Sequence, residues 1–337
     1  MKLATWHWHI EISSKCTLKC PRCARTEVPD TLLNTELNLE FFKTNFTEEF
    51  INTNVEKITF CGDDGDPIYA RDFIEVIKYF KNIKPIKIVI VTNGSYKKQK
   101  WWQQLGRVLD HNDHIHFSLD GWDQISNEKY RVNSDWISII QGITTLRKNS
   151  DIFMTWDTIA FSFNENNLDK MQELAKNLGF DEFQLTYSTK FNKIYNTYPE
   201  NDILQPKDEL ISTNLRFQRK LIPLTNKLVS LNGNDTNLKL YNETTIINNT
   251  IPLCGIGNKG LFINSQGRFF PCCWVANRYN HNTDWMKLSK QFDLTIVPLV
   301  DVINNKFWNT DFENFSWLEC KTKCSKNVVT QLYATEW

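Results

Sequence analysis

Short apolar runs alternate with stretches of helical period over residues 1–190 of the chain. The runs are rich in β-branched and aromatic residues, which is typical of strands. The pattern predicts six strands, at residues 6–12, 57–61, 86–91, 114–119, 152–161 and 182–188.

Apolar residues spaced three or four positions apart follow several of these runs and predict amphipathic helices between the strands. Asn38 is the expected N-cap of the first helix, and Gly179 is expected to end the last. The apolar positions are Leu39, Phe42 and Phe46; Phe73, Ile77 and Phe80; Trp136, Ile140 and Ile143; and Leu168, Met171, Leu174 and Leu178.

Six β/α units in sequence predict an α/β fold with a parallel sheet and right-handed crossovers, either open or a barrel that lacks two units. In such folds the chemistry gathers at the carboxyl ends of the strands. Each polar segment found there could be an ordinary β/α loop, but five at one edge predict a functional rim. The segments are the cysteines at 16–23 and residues 62–67, 92–94, 118–121 and 164–167.

Three cysteines, Cys16, Cys20 and Cys23, stand within eight residues directly after the first strand. A four-iron cluster has four iron corners, so three cysteines leave one iron open for a small chelating ligand. A zinc site would require a fourth protein ligand, which His7 or His9 could supply. We expect those histidines to point away from the following loop and to be packed or hydrogen-bonded.

The composition limits which cellular compartment and which classes of binding partner we expect. The 337 residues include nine cysteines but no signal peptide and no apolar run long enough to span a bilayer, which predicts a cytoplasmic protein. In a reducing compartment clustered cysteines are more often ligands than disulfides. Because the formal charge is zero and no Lys/Arg block stands out, we expect neither a nucleic-acid nor a membrane partner, and favour a small substrate or a peptide.

The C-x-x-x-C-x-x-C motif, placed after the first strand of a six-unit β/α series, resembles the radical S-adenosylmethionine (SAM) superfamily. The resemblance covers residues 1–190 and implies a partial (β/α)6 TIM-like barrel. It implies a [4Fe-4S] cluster on the three cysteines, whose open iron is chelated by the amino and carboxylate groups of SAM. An electron from a donor such as flavodoxin or ferredoxin then cleaves SAM to methionine and a 5′-deoxyadenosyl radical, which removes a hydrogen atom from the substrate.

The same resemblance places a SAM-binding turn at residues 62–67. Asp64, Gly65, Asp66 and Pro67 stand where the family has its Gly-Gly-Glu-Pro motif, whose backbone binds the SAM amino group. Asp64 replaces the first glycine and Asp66 replaces the glutamate. Only the geometry of the turn is therefore carried over.

Four further positions match residues that similar enzymes use around the ribose and carboxylate of SAM: Thr92, Asn93, Ser118 and Arg131. For Arg131 a surface ion pair is an equal alternative. Arg22 stands where the family usually has an aromatic or aliphatic residue near the adenine, and its planar guanidinium could stack on a base instead.

Beyond residue 190 the β/α rhythm stops. Residues 191–249 are predicted to form a bridging region with one helix, and residues 250–337 a smaller α+β domain. Within it, "GLFINSQGRFF" predicts a β-hairpin that turns at residues 265–267 and brings its flanking cysteines together. Four thiolates could close either a zinc site or an iron-sulphur cluster, and they are Cys254, Cys272, Cys320 and Cys324.

Cys254, Gly267 and Cys272 fit the C-x(12)-G-x(4)-C pattern of the auxiliary-cluster domain called SPASM, or of its shorter twitch form. A full SPASM domain has seven cysteines and two clusters, more than this chain provides. The resemblance therefore implies one auxiliary [4Fe-4S] cluster on the four C-terminal thiolates. Cys61 and Cys273 are left over, and we expect small buried side chains there, with a catalytic role for Cys61 as the alternative.

The resemblance implies a radical SAM oxidoreductase or maturase, in which the second cluster accepts an electron and the net reaction is a two-electron oxidation. Relatives with SPASM domains act mostly on ribosomally made peptides, so a peptide is the first expectation. The alternative is the dehydrogenation of a sugar or aminocyclitol. Because the first motif starts near residue 1, a peptide would need a separate recognition partner or would dock directly.

Two rival classes remain. A non-catalytic zinc or iron-sulphur protein would explain the cysteines but not the five segments of the rim. An enzyme that uses SAM as a methyl donor would need no cluster.

Overall fold

The computed structural model describes residues 3–187, 203–206, 212–217, 260–276 and 288–310. The chain divides into two compact units. The first unit comprises Met1–Thr92, Val108–His114 and Thr244–Trp337, and the second comprises Asn93–Arg107 and Ile115–Glu243. The domain boundaries predicted at residues 190 and 249 stay a prediction.

All six predicted strands are present, with ends within a few residues of those expected. Each is built from the β-branched and aromatic runs that the sequence indicated. They are β1 His7–Ile10, β2 Lys57–Phe60, β3 Lys87–Thr92, β4 His114–Ser118, β5 Phe153–Ile159 and β6 Glu182–Thr186. Three further strands follow, β7 Thr213–Arg216, β8 Leu261–Ile263 and β9 Phe269–Phe270.

In the first unit the strand order is β3-β2-β1-β8-β9. β2 pairs in parallel with both β1 and β3, and β8 pairs in parallel with the free side of β1. The β8-β9 pair is antiparallel, and Gly267 turns between them with a φ of +83°, which confirms the predicted hairpin. The hairpin thus joins the sheet that begins the chain.

In the second unit the order is β7-β6-β5-β4. β5 and β6 are parallel, and β7 pairs antiparallel with β6. β7 lies in the predicted bridging region, where the sequence indicated no strand. The described strands of neither unit close on themselves, in agreement with the expected α/β fold with an open, partial barrel.

Helices connect the strands. The eight helices within the first 187 residues are α1 Ala24–Glu27, α2 Leu39–Asn45, α3 Glu48–Asn54, α4 Phe73–Ile83, α5 Gln99–Gly106, α6 Gln124–Glu128, α7 Trp136–Asn149 and α8 Leu168–Asn177. Of these eight, α2, α4, α7 and α8 were predicted and the other four were not. After the hairpin come α9 Cys273–Ala276 and two short helices, Leu299–Ile303 and Lys306–Thr310.

Local capping explains where these helices begin and end. The Asn38 side chain accepts a hydrogen bond from the N–H of Phe41 at 2.9 Å, which confirms it as an N-cap. Phe46, expected inside the first helix, is instead its C-cap, because the Thr47 hydroxyl caps a second helix immediately afterwards. Gly179, with a φ of +84°, follows the end of α8 as predicted.

The alternation of side chains along β1 positions the polar groups of the first unit. Trp8 is fully buried and packs edge-on against Phe46 and Phe50, at ring-centroid distances of 5.2 and 5.7 Å. Because successive residues of a strand point to opposite faces, His9 points away from this apolar layer.

None of the helices in the described part of the chain is long and apolar enough to cross a membrane.

Candidate active site

The cysteine loop is closed by backbone hydrogen bonds around Cys23. The N–H of Cys23 donates to the carbonyl of Cys20 at 3.1 Å, and Cys23 is the N-cap of α1. The N–H of Leu18 lies 3.4 Å from the sulphur of Cys16 and donates to it. The fold therefore holds the three predicted cluster ligands in one compact turn after β1.

The electrostatics of this loop suit a bound cation. Burial, followed by the nearby carboxylate of Asp66, raises the pKa of the Cys16 thiol to about 12, and the Cys20 and Cys23 thiols contribute in the same direction. A cation beside this thiol would oppose the rise in its pKa and favour the thiolate.

In the described residues no three Cys, His, Asp or Glu side chains converge as they would around one metal ion. The two histidines of β1, considered as further ligands of a zinc site, hydrogen-bond within the fold. His7 Nε2 lies 3.0 Å from Thr59 Oγ1, and His9 Nε2 lies 3.1 Å from the carbonyl of Cys61, as expected of hydrogen-bonded strand residues.

The 62–67 loop packs directly against the exit of β1. A Cβ atom added to Gly65 would lie 1.9 Å from the carbonyl oxygen of Ser13, so only glycine fits at this position. The N–H of Asp66 donates to the carbonyl of Lys15 at 3.0 Å. The predicted SAM turn and the predicted cluster loop are thus in contact within the first unit.

Asp66 and Thr92, both predicted to bind SAM, bind each other. The Thr92 hydroxyl donates to the two carboxylate oxygens of the buried Asp66, at 2.9 and 3.0 Å. Asp66 also accepts the N–H of Ile68 at 3.2 Å and so caps the turn Pro67–Tyr69. These contacts give the Asp66 carboxylate a role in the fold, and its role towards SAM stays a prediction.

Two arginines of the cysteine loop are engaged in contacts. Arg25, which the sequence did not single out, donates from Nη1 to the carbonyl of Ser14 and to the carbonyl of Asp64, the latter at 3.2 Å. It ties the cysteine loop to the 62–67 loop. Arg22 pairs with Glu27 at 3.8 Å, and the proposed stacking on adenine is untested.

Glu11 is a buried carboxylate that sequence reasoning missed. Its Oε1 accepts the N–H of Asp64 at 2.6 Å and of Gly65 at 3.2 Å. Burial and the like charges of Asp64 and Asp63 raise the pKa of Glu11 to about 8, and the two backbone N–H groups oppose that rise. A charged residue at the end of an apolar strand was the available signal.

The remaining predicted SAM residues belong to the second unit. Asn93 is buried, and its Oδ1 accepts the N–H of Ser95 at 2.9 Å. Ser118 is the last residue of β4 and is partly exposed. Arg131 Nε lies 2.5 Å from Asp120 Oδ2, so Arg131 forms an ion pair, but with a fully buried partner and not at the surface as the alternative expected. Its role towards SAM stays a prediction.

Asp120 is fully buried within the second unit. Burial raises its pKa, while Arg131 and the N–H of Ile159, 2.8 Å from Oδ1, act in the opposite direction. The Asn164 amide donates to the backbone carbonyl of Asp120 at 3.0 Å, which links two of the five rim segments.

Only part of the second predicted cysteine site can be described. Cys272 is buried and follows β9, whereas Cys254, Cys320 and Cys324 lie outside the described residues. Cys273 begins α9, so the alternation of an extended strand does not separate its side chain from that of Cys272.

The two leftover thiols interact but differ in burial, because Cys61 is buried as expected whereas Cys273 is only partly buried. Cys61 is buried, and its pKa is raised by that burial, then by the carboxylate of Asp63 and by the thiol of Cys273. A high pKa keeps the Cys61 thiol protonated, in agreement with the expected small buried side chain.

The sequence matches the Radical SAM superfamily over residues 10–180. A GTP 3′,8-cyclase of Haemophilus influenzae (strain PittGG) is 26% identical over 187 residues, which cover 53% of this chain and 48% of the cyclase. A probable GTP 3′,8-cyclase of Methanococcus maripaludis is 26% identical over 176 residues, 51% of this chain and 56% of that protein. The chain spans about half the length of the curated relatives it matches.

Among solved structures, that of Streptococcus suis SuiB resembles this chain with a TM-score of 0.57 at 14% identity, over 93% of this chain and 69% of SuiB. SuiB bound to the precursor peptide SuiA gives a TM-score of 0.57 at 12% identity, over 96% and 70% of the two chains. At these identities the likeness shows a shared fold, and it reaches beyond the half that the cyclases match.

Proposed function

The chain belongs to the radical SAM superfamily, and from that premise we propose that it cleaves SAM reductively and oxidises a substrate by hydrogen abstraction. The contact between the cysteine loop and the 62–67 loop carries this proposal, because it joins three thiols to an acidic, glycine-dependent turn in one unit. When bound, a [4Fe-4S] cluster and SAM supply the radical that removes the hydrogen atom.

The chain's own residues would bind and orient these groups. Cys16, Cys20 and Cys23 hold the cluster through their thiolates. The backbone of residues 64–66 would bind the SAM ammonium group, and the carboxylates of Asp64 and Asp66 would balance its positive charge. In the second unit Asn93, Ser118 and Arg131 are proposed to contact the ribose and carboxylate of SAM, and Thr92 to orient Asp66.

We further propose one auxiliary [4Fe-4S] cluster on Cys254, Cys272, Cys320 and Cys324, in a domain of the SPASM or twitch type. The hairpin β8-β9, with Gly267 at its turn, supports this part because it has the length that the C-x(12)-G-x(4)-C pattern requires. Electrons would come from a flavodoxin or ferredoxin.

The proposed substrate is a ribosomally made peptide. The likeness to SuiB supports it, because that fold covers nearly the whole of this chain and one SuiB structure contains a precursor peptide. A second candidate is a nucleotide, since the curated relatives are GTP 3′,8-cyclases. Those relatives match only about half of this chain.

The first experiment tests SAM cleavage. Protein reconstituted with iron and sulphide without air should release 5′-deoxyadenosine when given SAM and dithionite. The Cys16→Ala/Cys20→Ala/Cys23→Ala variant should release none, while Cys273→Ala, the matched single cysteine change, should retain cleavage. If the triple variant still cleaves SAM, the proposal is wrong.

The second experiment separates the two substrate classes. GTP added to the active enzyme should not increase 5′-deoxyadenosine release, and no cyclised nucleotide should appear by mass spectrometry. A cyclised product would replace the peptide by the nucleotide as substrate and leave SAM cleavage intact.

A further inference from the structure

Glu11 fills the space beneath the 62–67 loop. It is 3% exposed, and its own N–H donates to the carbonyl of Ile263, so both the side chain and the backbone are fixed. Its Oε1 receives two successive loop N–H groups, those of Asp64 and Gly65. A buried carboxyl oxygen that accepts two adjacent amide N–H groups is a specific arrangement, because each hydrogen bond restricts the conformation of the loop.

The loop has little room to adopt another conformation. A Cβ atom on Gly62 would lie 2.6 Å from the carbonyl oxygen of Gly65 and 3.0 Å from Glu11 Oε1. A Cβ atom on Gly65 would overlap Ser13. Glycine at position 62 therefore lets the loop approach the Glu11 carboxyl group closely, and glycine at position 65 lets it approach the backbone of Ser13 and Ser14.

Because the peptide unit is planar, the direction of these N–H groups also sets the direction of the preceding carbonyl groups. In a trans peptide unit the C=O points opposite to the N–H of the next residue. Since the N–H groups of Asp64 and Gly65 point at Glu11, the carbonyls of Asp63 and Asp64 point away from it. The Asp64 carbonyl accordingly accepts a hydrogen bond from Arg25, on the side of the cysteine loop.

We propose that Glu11 is a positioning residue for SAM. By binding the inward N–H groups of Asp64 and Gly65, it holds the 62–67 loop in the conformation whose outward backbone carbonyls receive the SAM ammonium group. Glu11 acts through the loop, because its Oε1 is bound to the two loop amides. This inference rests on the proposed function. It adds that Glu11, directly after β1, orders the 62–67 loop before SAM binds.

Hydrogen exchange tests the structural half of this proposal without SAM. In the full-length, reconstituted protein, Glu11→Ala should increase amide exchange of the peptide containing residues 62–67 at least about tenfold, because two hydrogen bonds are lost. Glu11→Gln keeps an acceptor oxygen and should exchange like the unchanged protein. Thr59→Val is the matched control, since it removes a buried hydrogen bond to His7 on the same sheet.

Anaerobic calorimetry of SAM binding tests the functional half. With iron content matched between samples, Glu11→Ala should weaken SAM binding at least about tenfold, while Glu11→Gln and Thr59→Val stay within about twofold. If Glu11→Ala does not fold, Glu11→Asp replaces it, because a side chain shorter by one methylene withdraws the carboxylate from both amides.

Each outcome decides the proposal. Unchanged exchange of residues 62–67 in Glu11→Ala or Glu11→Asp overturns the loop-holding role. Faster exchange with unchanged SAM affinity overturns the role towards SAM. If the unchanged protein itself fails to bind SAM, the proposed function fails, whereas the exchange comparison still shows whether Glu11 orders the loop.

Discussion

The two units each bury a carboxylate at the end of a strand, and they satisfy it in different ways. In the second unit Asp120 is paired with the guanidinium of Arg131 at 2.5 Å. In the first unit Glu11 is held by the backbone N–H groups of Asp64 and Gly65. Ion pairing offsets the cost of burying Asp120, whereas like charges add to the cost of burying Glu11.

The difference indicates where a ligand is expected. A buried acid that already has its arginine forms a complete structural unit. An acidic loop in which burial and like charges raise pKa values gains most from a nearby cation, and SAM carries an ammonium and a sulphonium group. We therefore interpret the acidic loop of the first unit as the part of the proposed SAM site that gains most from that positive charge.

The largest effect should follow from breaking the complete pair. Arg131→Met leaves the Asp120 carboxylate buried without its cation, which should lower the free energy of unfolding by about 3–5 kcal/mol. Chemical denaturation followed by tryptophan fluorescence measures this loss. Arg131→Lys should lose less, because it keeps the charge but not the planar geometry.

The combined variant Asp120→Asn/Arg131→Met separates the fold from SAM binding. It removes both charges and should recover most of the lost stability. If Arg131 also binds SAM, as the family resemblance implies, the stable double variant will still bind SAM weakly. Normal SAM binding by the double variant would limit Arg131 to the ion pair.

The next effect is the pH dependence of the free energy of unfolding that Glu11 causes. Below the ordinary pKa of 4.5 Glu11 is protonated in both states; between 4.5 and about 8 the folded state keeps a proton that the unfolded state has lost. The free energy of unfolding should therefore fall as the pH rises through this window, by about 4 kcal/mol between about pH 5 and pH 8. Glu11→Gln should remove this contribution.

The measurement is the difference between Glu11→Gln and the unchanged protein, obtained by denaturation of apoprotein at several pH values. Groups common to both proteins cancel in that difference. A constant difference from pH 5 to pH 8 would show that Glu11 titrates normally, and the contrast with Asp120 would then lose its electrostatic basis.

A smaller effect is expected from the packing of the acidic loop. Gly65→Ala places a methyl group against the Ser13 carbonyl, which forces the backbone to move and should cost about 1–3 kcal/mol. Gly106→Ala is the matched control in the second unit, because its nearest contact is at 3.1 Å and alanine favours a helix. Equal stability of both variants would argue against the close approach of the two loops.

Much of the fold followed from the sequence, because strand and helix patterns are local. The six strands and the Asn38 cap depend on neighbouring residues only. The parallel pairing of β8 with β1 could not be predicted, since it joins segments about 250 residues apart and leaves no local pattern. The end of α2 was misplaced because Phe46 continues the apolar spacing while Thr47 caps a new helix.

The candidate site was predictable to the extent that it depends on spacing. The cysteine motif and the 62–67 turn lie next to each other as their positions after β1 and β2 indicated. Glu11 and Arg25 were missed because their importance comes from contacts across more than 35 residues of chain, which no spacing rule reveals. For Asp66 the sequence suggested a ligand contact, and the contact with Thr92 emerged only from the structure.

The smallest effect, on iron content, is expected for a change at Cys273, the first residue of the helix after the β8-β9 hairpin. Its thiol adds to the raised pKa of Cys61, yet the spacing from Gly267 favours Cys272 as the auxiliary ligand. In protein lacking the three N-terminal cluster cysteines, about four irons should remain, and Cys273→Ser should leave iron and absorbance unchanged. Cys272→Ser, the adjacent control, should lose or distort the cluster.

Cys273 starts a helix instead of extending the strand, so the alternation of a strand does not place the two thiols on opposite faces. Loss of iron in Cys273→Ser alone would make Cys273, and not Cys272, the cluster ligand. Zinc in place of iron in air-free protein would show that the hairpin site is structural. The proposed cofactors would then be SAM and one iron-sulphur cluster only.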